Sequence, residues 1–395
     1  MAKGTDEVLV PRHSRVRPRG PWGRIGAFIA SVLVVALATG VSAAVYVVNG
    51  LVTNTETVDI GEPGEVPPQI GAIEGGTNIL IVGIDSRKDT GNQFASRADS
   101  ILNDVNMLVH ISEDQQSIYA ITFPRDLVIP QPNCDQLGWT APINVAWSRG
   151  GLKCVVKTIE SLTGMKIPYA ATITFGGVIE MSNAVGGVEV CVSGKPIEDK
   201  YARVGKGKRL KLKVGKHVIQ GPTALAYLRV RYGVGDGSDL GRVSTQQTYL
   251  SSLVRKVKSD ETLTDIGRMY SLAEAATRNM TLSSSLANVD TLIALVRILA
   301  KVDMDRVVFL SYPNRYGTGE FKNKVLPVEA DAKALFDALK KGKKVVPQKG
   351  NTGPGSTVKD QGDRNTKGTV QLPASIKGQL ATDVTCSVGN PGGGT

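Results

Sequence analysis

Apolar residues group into runs of distinct length and period along the chain, and the runs predict most of the elements. The longest, Ile25 to Val48, carries no charge over 24 residues. At the helical rise it spans roughly 36 Å, enough to cross a bilayer with some tilt. Residues 49–76 are acidic and rich in Pro and Gly, the composition of a linker. Asn78 to Gly83 is a continuous apolar run ending in glycine, which suits a strand covered on both faces. Val105–Ile111 and Ser117–Phe123 predict two further strands, joined by the polar hairpin turn 112–116. Apolar residues at 152, 155, 156, 159 and 162 follow the helical period. A strand at 169–175, a helix at 178–184 and an alternating strand at 188–192 come next. Helices are predicted at 241–258, 263–279, 284–301 and 330–340, with a late strand at 307–310. From about Gly342 the chain turns to Gly, Ser, Thr, Lys and Pro with little periodicity, which predicts a disordered tail. Strands mixed with helices at this spacing predict an α/β domain over 77–341, a central mixed sheet with helices on both faces.

Charge decides the orientation of the apolar span. Lys3, Arg12, Arg15, Arg17, Arg19 and Arg24 precede it, whereas Glu56, Asp59, Glu62, Glu65 and Glu74 follow it. Basic residues stay on the cytoplasmic side, so residues 1–24 form a cytoplasmic tail, 25–48 a single-pass transmembrane helix, and the rest lies outside the cell. A cleaved leader ending near Val41–Ala44 is the competing reading. The formal net charge of +11 favours anionic partners. Aromatics make up 5% of the chain and do not interleave with the basic segments, which disfavours nucleic acid, as does placement outside the membrane. All four cysteines (Cys134, Cys154, Cys191, Cys386) lie on the exported side, where disulfides form. Cys134 and Cys154 are the best pair by proximity, with buried free thiols the alternative. The basic stretch from Lys200 to Lys216 predicts a hairpin whose charges discourage edge pairing, with contact to anionic lipid or polymer as the second reading.

Candidate chemistry collects at predicted strand ends, where α/β sheets bind ligands. Asp85 and Arg87 follow the first strand, Arg125 and Asp126 follow the third, and Asp104 opens the second. If the first two strands run antiparallel, Asp85 and Asp104 meet. The stretch from Leu228 to Arg242 adds Arg229, Arg231, Asp239 and Arg242 within a Gly-rich loop. Carboxylates that hold magnesium, with arginines that neutralise a diphosphate, suit phosphoryl transfer. Neither a P-loop nor a Gly-x-Ser-x-Gly elbow is present, which disfavours nucleotide chemistry and serine hydrolysis.

Asn78-Ile-Leu-Ile-Val-Gly-Ile-Asp-Ser-Arg87, Phe123-Pro-Arg-Asp126, Ile143-Asn144 with Gly150-Gly151, and Ala226-Tyr-Leu-Arg-Val-Arg-Tyr-Gly233 with Asp239-Leu-Gly-Arg242 stand in the order found in the LytR-CpsA-Psr family of cell-envelope proteins, which this chain resembles over about 77–258. The resemblance implies a membrane-anchored extracytoplasmic phosphotransferase that moves a glycopolymer from an undecaprenyl-pyrophosphate carrier onto peptidoglycan, with the lipid tail in an apolar tunnel. Carried over by motif, it implies magnesium on Asp85 and Asp104, pyrophosphate contacts from Arg87, Arg125, Arg229, Arg231, Arg242 and Gln246, and catalytic roles for Arg229, Asp239 and Arg242. Asp239 would orient or deprotonate the acceptor hydroxyl. The family's Arg-x-Asp-Thr pattern matches Arg97-Ala-Asp-Ser100 locally, so Asp99 stays open as the alternative to Asp104. A polyprenyl-phosphate-binding module without turnover and a pyrophosphatase on the same carrier are the rival functions.

Overall fold

The computed structural model describes residue 50 and residues 55–61, 75–86, 101–132, 134, 139–205, 208–259, 266–362, 367–390 and 392. The chain divides into two compact units, 1–50 and 51–395. Only Gly50 is described in the first, and the fold is that of the second. Among the described residues no helix is long and apolar enough to cross a membrane. The run Ile25–Val48 lies outside them, as do Arg87 and Asp99.

Eight strands form the central sheet: β1 (Glu56–Val58), β2 (Thr77–Ile84), β3 (Asn103–Ile111), β4 (Ile118–Phe123), β5 (Tyr169–Ile173), β6 (Met280–Ser283), β7 (Val307–Ser311) and β8 (Gly378–Leu380). Their order is β1-β6-β5-β2-β3-β4-β7-β8. β2 runs parallel to β5 and antiparallel to β3, and β4 runs antiparallel to β3 and parallel to β7. The sheet is therefore mixed.

The helices are α1 (Trp147–Thr163), α2 (Phe175–Ala184), α3 (Gly221–Arg229), α4 (Asp239–Lys258), α5 (Ile266–Asn279), α6 (Val289–Lys301) and α7 (Glu329–Lys340). β2 shows why the sheet is covered twice. Leu80, Val82 and Ile84 join Val155 and Ile159 of α1 and Leu335 and Phe336 of α7 in one core. Ile79 joins a second core with Ile298 of α6, against which Leu250 and Val254 of α4 pack. Alternate side chains of one strand thus serve opposite layers, which explains its unbroken apolar sequence. α1 is interrupted at Gly150 and Gly151, and ends at Gly164, whose left-handed backbone (φ 64°) lets its N–H reach the Glu160 carbonyl.

The C-terminal segment departs from the expectation. Where residues 342–392 are described they do not form a disordered tail: they contain β8 and strands at Lys344–Val346, Ser356–Asp360, Thr369–Gln371 and Val384–Val388. β8 pairs with β7 at the edge of the central sheet. Val384–Val388 lies between Val188–Ser193 and Ser356–Asp360 in a second, four-stranded sheet. A disulfide between Cys191 and Cys386 ties that sheet together, and Cys134 pairs with Cys154. Each tail strand spans three to five residues. That is too short to carry a readable alternation, and its partner strands supply the apolar cover.

Candidate active site

The site forms at one end of the central sheet, and local backbone geometry builds it. β2 and β3 pair regularly from Thr77↔Ile111 to Gly83↔Val105, then shift so that Ile84 faces Asn103. Asp104 is the extra residue of a β-bulge, a device that re-aims one side chain. Asp104 and Val105, consecutive in the chain, both line the same cavity. The bulge is held by buried amides: Asn103 Nδ2 donates to Asn106 Oδ1 (2.7 Å) and to the Ile143 carbonyl (3.0 Å), and Asn103 Oδ1 accepts from Trp147 N (2.9 Å). Asp85 follows β2 and bonds through its N–H to the Leu102 carbonyl (3.1 Å). The antiparallel register thus brings Asp85 and Asp104 to one end, as the sequence predicted.

Arg125 leaves the end of β4 and gives Asp104 Oδ1 a 3.1 Å charged hydrogen bond. Its Nε lies 3.6 Å from Asp239 and 3.9 Å from Asp126. Burial works against its charge, but Asp104, Asp239 and Asp126 outweigh that, and the pKa is raised above the ordinary guanidinium value. The Ile143-Asn144 motif acts through backbone: Asn144 N donates to the Arg125 carbonyl and Ile143 N to the Leu127 carbonyl.

The loop between α3 and α4 supplies the other side. Pro222 opens α3, and Arg229 closes it with its guanidinium 4.3 Å from the Phe175 ring centre. Arg231 lies 3.9 Å from Asp126. Ser238 caps α4 by accepting from Gly241 N, which places Asp239 in the first turn. Asp239 is buried, 2.6 Å from Arg242 Nη2. Arg242 also donates to the Asp104 carbonyl (3.3 Å), and Gln246 Nε2 donates to the Leu228 carbonyl (3.0 Å).

The loop is not free to wrap a ligand. Gly235 has φ 55°, and a Cβ there would meet the Pro354 carbonyl at 2.5 Å. Gly235 N donates to the Val388 carbonyl and Asn390 N to the Gly233 carbonyl. Asp199 accepts from the N–H of Arg231 (3.0 Å) and of Gly233 (3.2 Å). Asp199, Asn103 and Asn106 escaped sequence reasoning. Asp199 directly precedes the Lys200–Lys216 stretch read as a basic hairpin, and the two asparagines matter only through the bulge. Their one sequence signal is polarity inside or beside an apolar strand.

These side chains stand at the mouth of a cavity of about 1340 Å³, between the sheet and helices α2, α3, α4, α5 and α6. Asp85, Asp104, Arg125, Arg229, Arg231, Arg242 and Gln246 all line it, whereas Asp239 stands behind Arg125 and Arg242. Its interior is apolar, with Ile81, Met107, Val178, Leu250, Leu253 and Leu299 among the walls. The buried Nε atoms of Arg125, Arg231 and Arg242 have no hydrogen-bond acceptor. Arg125, Arg229, Arg231 and Arg242 all line the cavity, so an anion at the mouth would meet a cluster of guanidiniums. Among the described residues no group of three acidic, His or Cys side chains has the geometry to hold a metal ion. Asp85 and Asp104, which both line the cavity, are the two carboxylates that could share a magnesium ion with phosphate and water.

An apolar cavity with a cationic mouth in an α/β/α domain has the chemistry to take an amphiphile with an anionic head. The chain belongs to the LytR_cpsA_psr family, whose model matches residues 42–344. It is 25% identical over 299 residues to the cell wall biosynthesis protein LcpA of Corynebacterium glutamicum, covering 67% of this chain and 55% of that protein. It is 30% identical over 204 residues to the polyisoprenyl-teichoic acid–peptidoglycan teichoic acid transferase TagV of Bacillus subtilis, covering 51% and 48%. The chain thus spans about half the length of these two curated relatives. Its fold is similar to the crystal structure of B. subtilis TagV (TM-score 0.54, 23% identity, 68% of this chain and 98% of that one). It is also similar to the LytR-Csp2A-Psr enzyme from Actinomyces oris (TM-score 0.55, 22% identity, 72% and 95%).

Proposed function

We propose that this chain is a membrane-anchored, extracytoplasmic phosphotransferase that moves a glycopolymer from a polyprenyl-pyrophosphate carrier onto peptidoglycan. One observation carries the reading. A largely apolar cavity of about 1340 Å³ opens at a mouth lined by Arg125, Arg229, Arg231 and Arg242. A polyprenyl tail satisfies the first half of that arrangement and a diphosphate the second.

The acceptor hydroxyl oxygen attacks the phosphorus that carries the glycan. The bond from that phosphorus to the bridging oxygen breaks, and polyprenyl monophosphate departs with its tail in the cavity. The hydroxyl proton passes to water at the open mouth, and a phosphodiester joins glycan to acceptor. Arg125, Arg229, Arg231 and Arg242 bind the diphosphate and stabilise the charge that develops on it. Magnesium held by Asp85 and Asp104 would neutralise further phosphate charge when bound. Asp239 acts on this chemistry through the guanidiniums it orients, because it is buried behind them. Gln246 holds the end of α3, and so Arg229, in place. By motif Arg87 would join the phosphate contacts.

The test is reconstitution of the full chain in detergent with a polyprenyl-pyrophosphate glycan, magnesium and peptidoglycan fragments. A phosphodiester-linked adduct by mass spectrometry, lost in Arg125→Ala and on chelation, is the expected result. Release of glycan phosphate without an adduct would favour a pyrophosphatase. Tight, magnesium-independent binding without turnover would favour a binding module.

A further inference from the structure

The stretch from Ile197 to Ile219 holds eight lysines and arginines against two acids, more than half of the chain's net positive charge. It folds as an antiparallel ribbon of Ile197–Arg203 and Arg209–Leu212, followed by a strand at Gly215–Ile219. One face of the ribbon is core: Ile197, Ala202, Leu210 and Leu212 pack with Tyr227 and Val230. The opposite face is bare. Arg203, Arg209 and Lys211 are exposed on it, and exposed Lys208 and Lys213 flank its second strand.

Cations that only discourage edge pairing need no aromatic company. Here Tyr201 is 63% exposed and Tyr232 44%, with ring centres 5.1 Å apart. Lys200 Nζ lies 5.5 Å from the Tyr201 ring centre, and the Arg231 guanidinium 5.5 Å from that of Tyr232. Val214, between the ribbon and the next strand, is exposed too. Exposed tyrosines flanked by lysine and arginine suit a membrane interface, where rings sit at headgroup depth and cations meet lipid phosphate. A soluble polyanion would meet the cations and leave the rings in water.

The ribbon is joined to the cavity mouth. Buried Asp199 accepts from Tyr201 N (2.8 Å) and Ala202 N (3.2 Å) with one oxygen, and from Arg231 N (3.0 Å) and Gly233 N (3.2 Å) with the other. One carboxylate thus clips the ribbon to the arginine loop. Tyr201, Arg203, Gly205, Arg231 and Tyr232 all line the large cavity, so the tyrosine pair is part of its rim.

We infer that this face docks on an anionic bilayer surface, with the tyrosine pair at headgroup level, and sets the cavity mouth against the leaflet that holds the lipid substrate. The inference rests on the transferase reading and gives the folded domain a membrane contact of its own. A polyprenyl tail that passes from leaflet to cavity at a docked mouth avoids water, where its apolar surface is costly.

The full chain is reconstituted into nanodiscs of phosphatidylcholine, alone or with phosphatidylglycerol. Wild type is compared with the triple variant Lys208→Glu, Arg209→Glu, Lys211→Glu, whose positions do not line the large cavity. Lysine acetylation is followed by mass spectrometry. Phosphatidylglycerol should protect Lys208, Lys211 and Lys213 of the wild type, while exposed Lys333 on α7, across the sheet, is unchanged. Protection of Lys213 should be lost in the variant. Transfer from a polyprenyl-diphosphate glycan embedded in phosphatidylglycerol nanodiscs should fall about tenfold or more in the variant. In a neutral detergent the two proteins should melt alike and transfer within about twofold of each other. Equal protection in both bilayers, or equal transfer by variant and wild type in the anionic one, overturns the inference and leaves the transferase reading standing. A loss of transfer in detergent as large as in the nanodisc also overturns it, by assigning the cations to the donor. Protection by soluble polyphosphate and not by phosphatidylglycerol overturns it in favour of a polyanion. Protection by phosphatidylglycerol, without transfer from any donor, supports the docking face while the transferase reading falls.

Discussion

Asp239 stands 2.6 Å from Arg242 and 3.6 Å from Arg125, with 3% of its surface exposed. Neither carboxylate oxygen receives an aligned hydrogen bond, so the contact is an ion pair that offsets charge. A base must reach the acceptor hydroxyl, and a carboxylate behind two guanidiniums does not. Asp239→Asn should therefore lower stability by about 3 kcal/mol in urea unfolding, because it leaves buried cations uncompensated. It should not weaken diphosphate binding as Arg242→Ala does. A parallel fall of affinity in both variants would show that Asp239 serves the ligand directly. His110 carries a second prediction. It is buried, paired through Nδ1 with Asn78 Oδ1 (2.9 Å), and burial lowers its pKa to about 4. The unfolded chain takes up this proton near pH 6.5 and the folded one only near 4. Stability from this group is thus full above about pH 7 and falls as pH drops through that window, by up to roughly 3 kcal/mol. Urea midpoints between pH 7.5 and 4.5 should show the slope, and His110→Gln should flatten it.

Elements position these residues more finely than periodicity reveals. The apolar runs located β2, β3 and β4 to within about two residues, and the turn chemistry joined β3 to β4. The bulge that turns Asp104 into the cavity left no mark on the hydrophobic pattern, because it shifts the register by a single residue. Asp104 lies 3.1 Å from Arg125, whereas Asp99 lies outside the described residues. The arginine loop is the converse case. Its glycines serve close approach to the C-terminal segment. Gly355 of that segment shows the tightest fit: a Cβ there would lie 2.0 Å from the Gly241 carbonyl. Gly355→Ala should cost about 1–3 kcal/mol by overpacking and should weaken diphosphate binding by displacing the first turn of α4. An unchanged melting temperature and affinity would show that the tail and the loop are uncoupled.

At the scale of the whole molecule the C-terminal segment closes the domain. Cys191 and Cys386 are 195 residues apart, and a bridge of that span restricts the unfolded chain by up to about 5 kcal/mol in the chain-entropy model. Cys191→Ser with Cys386→Ser should lower stability toward that amount, read by chemical denaturation. Removal of residues 343–395 should abolish cooperative unfolding, because it strips β8 from β7. A truncated chain that melts as the full one does would restore the disordered-tail reading. The α/β class and the residues Asp85, Asp104, Arg125, Arg229, Arg231 and Arg242 that gather around one cavity were legible in the sequence. Each rests on local regularity: helical or strand period, turn residues, and motifs whose order survives without contacts. The folded tail, the second disulfide, the Asp104 bulge and the burial of Asp239 came only from tertiary structure. Each depends on pairing between segments far apart in the chain, and three-to-five-residue strands gain their burial from partners that no local pattern names.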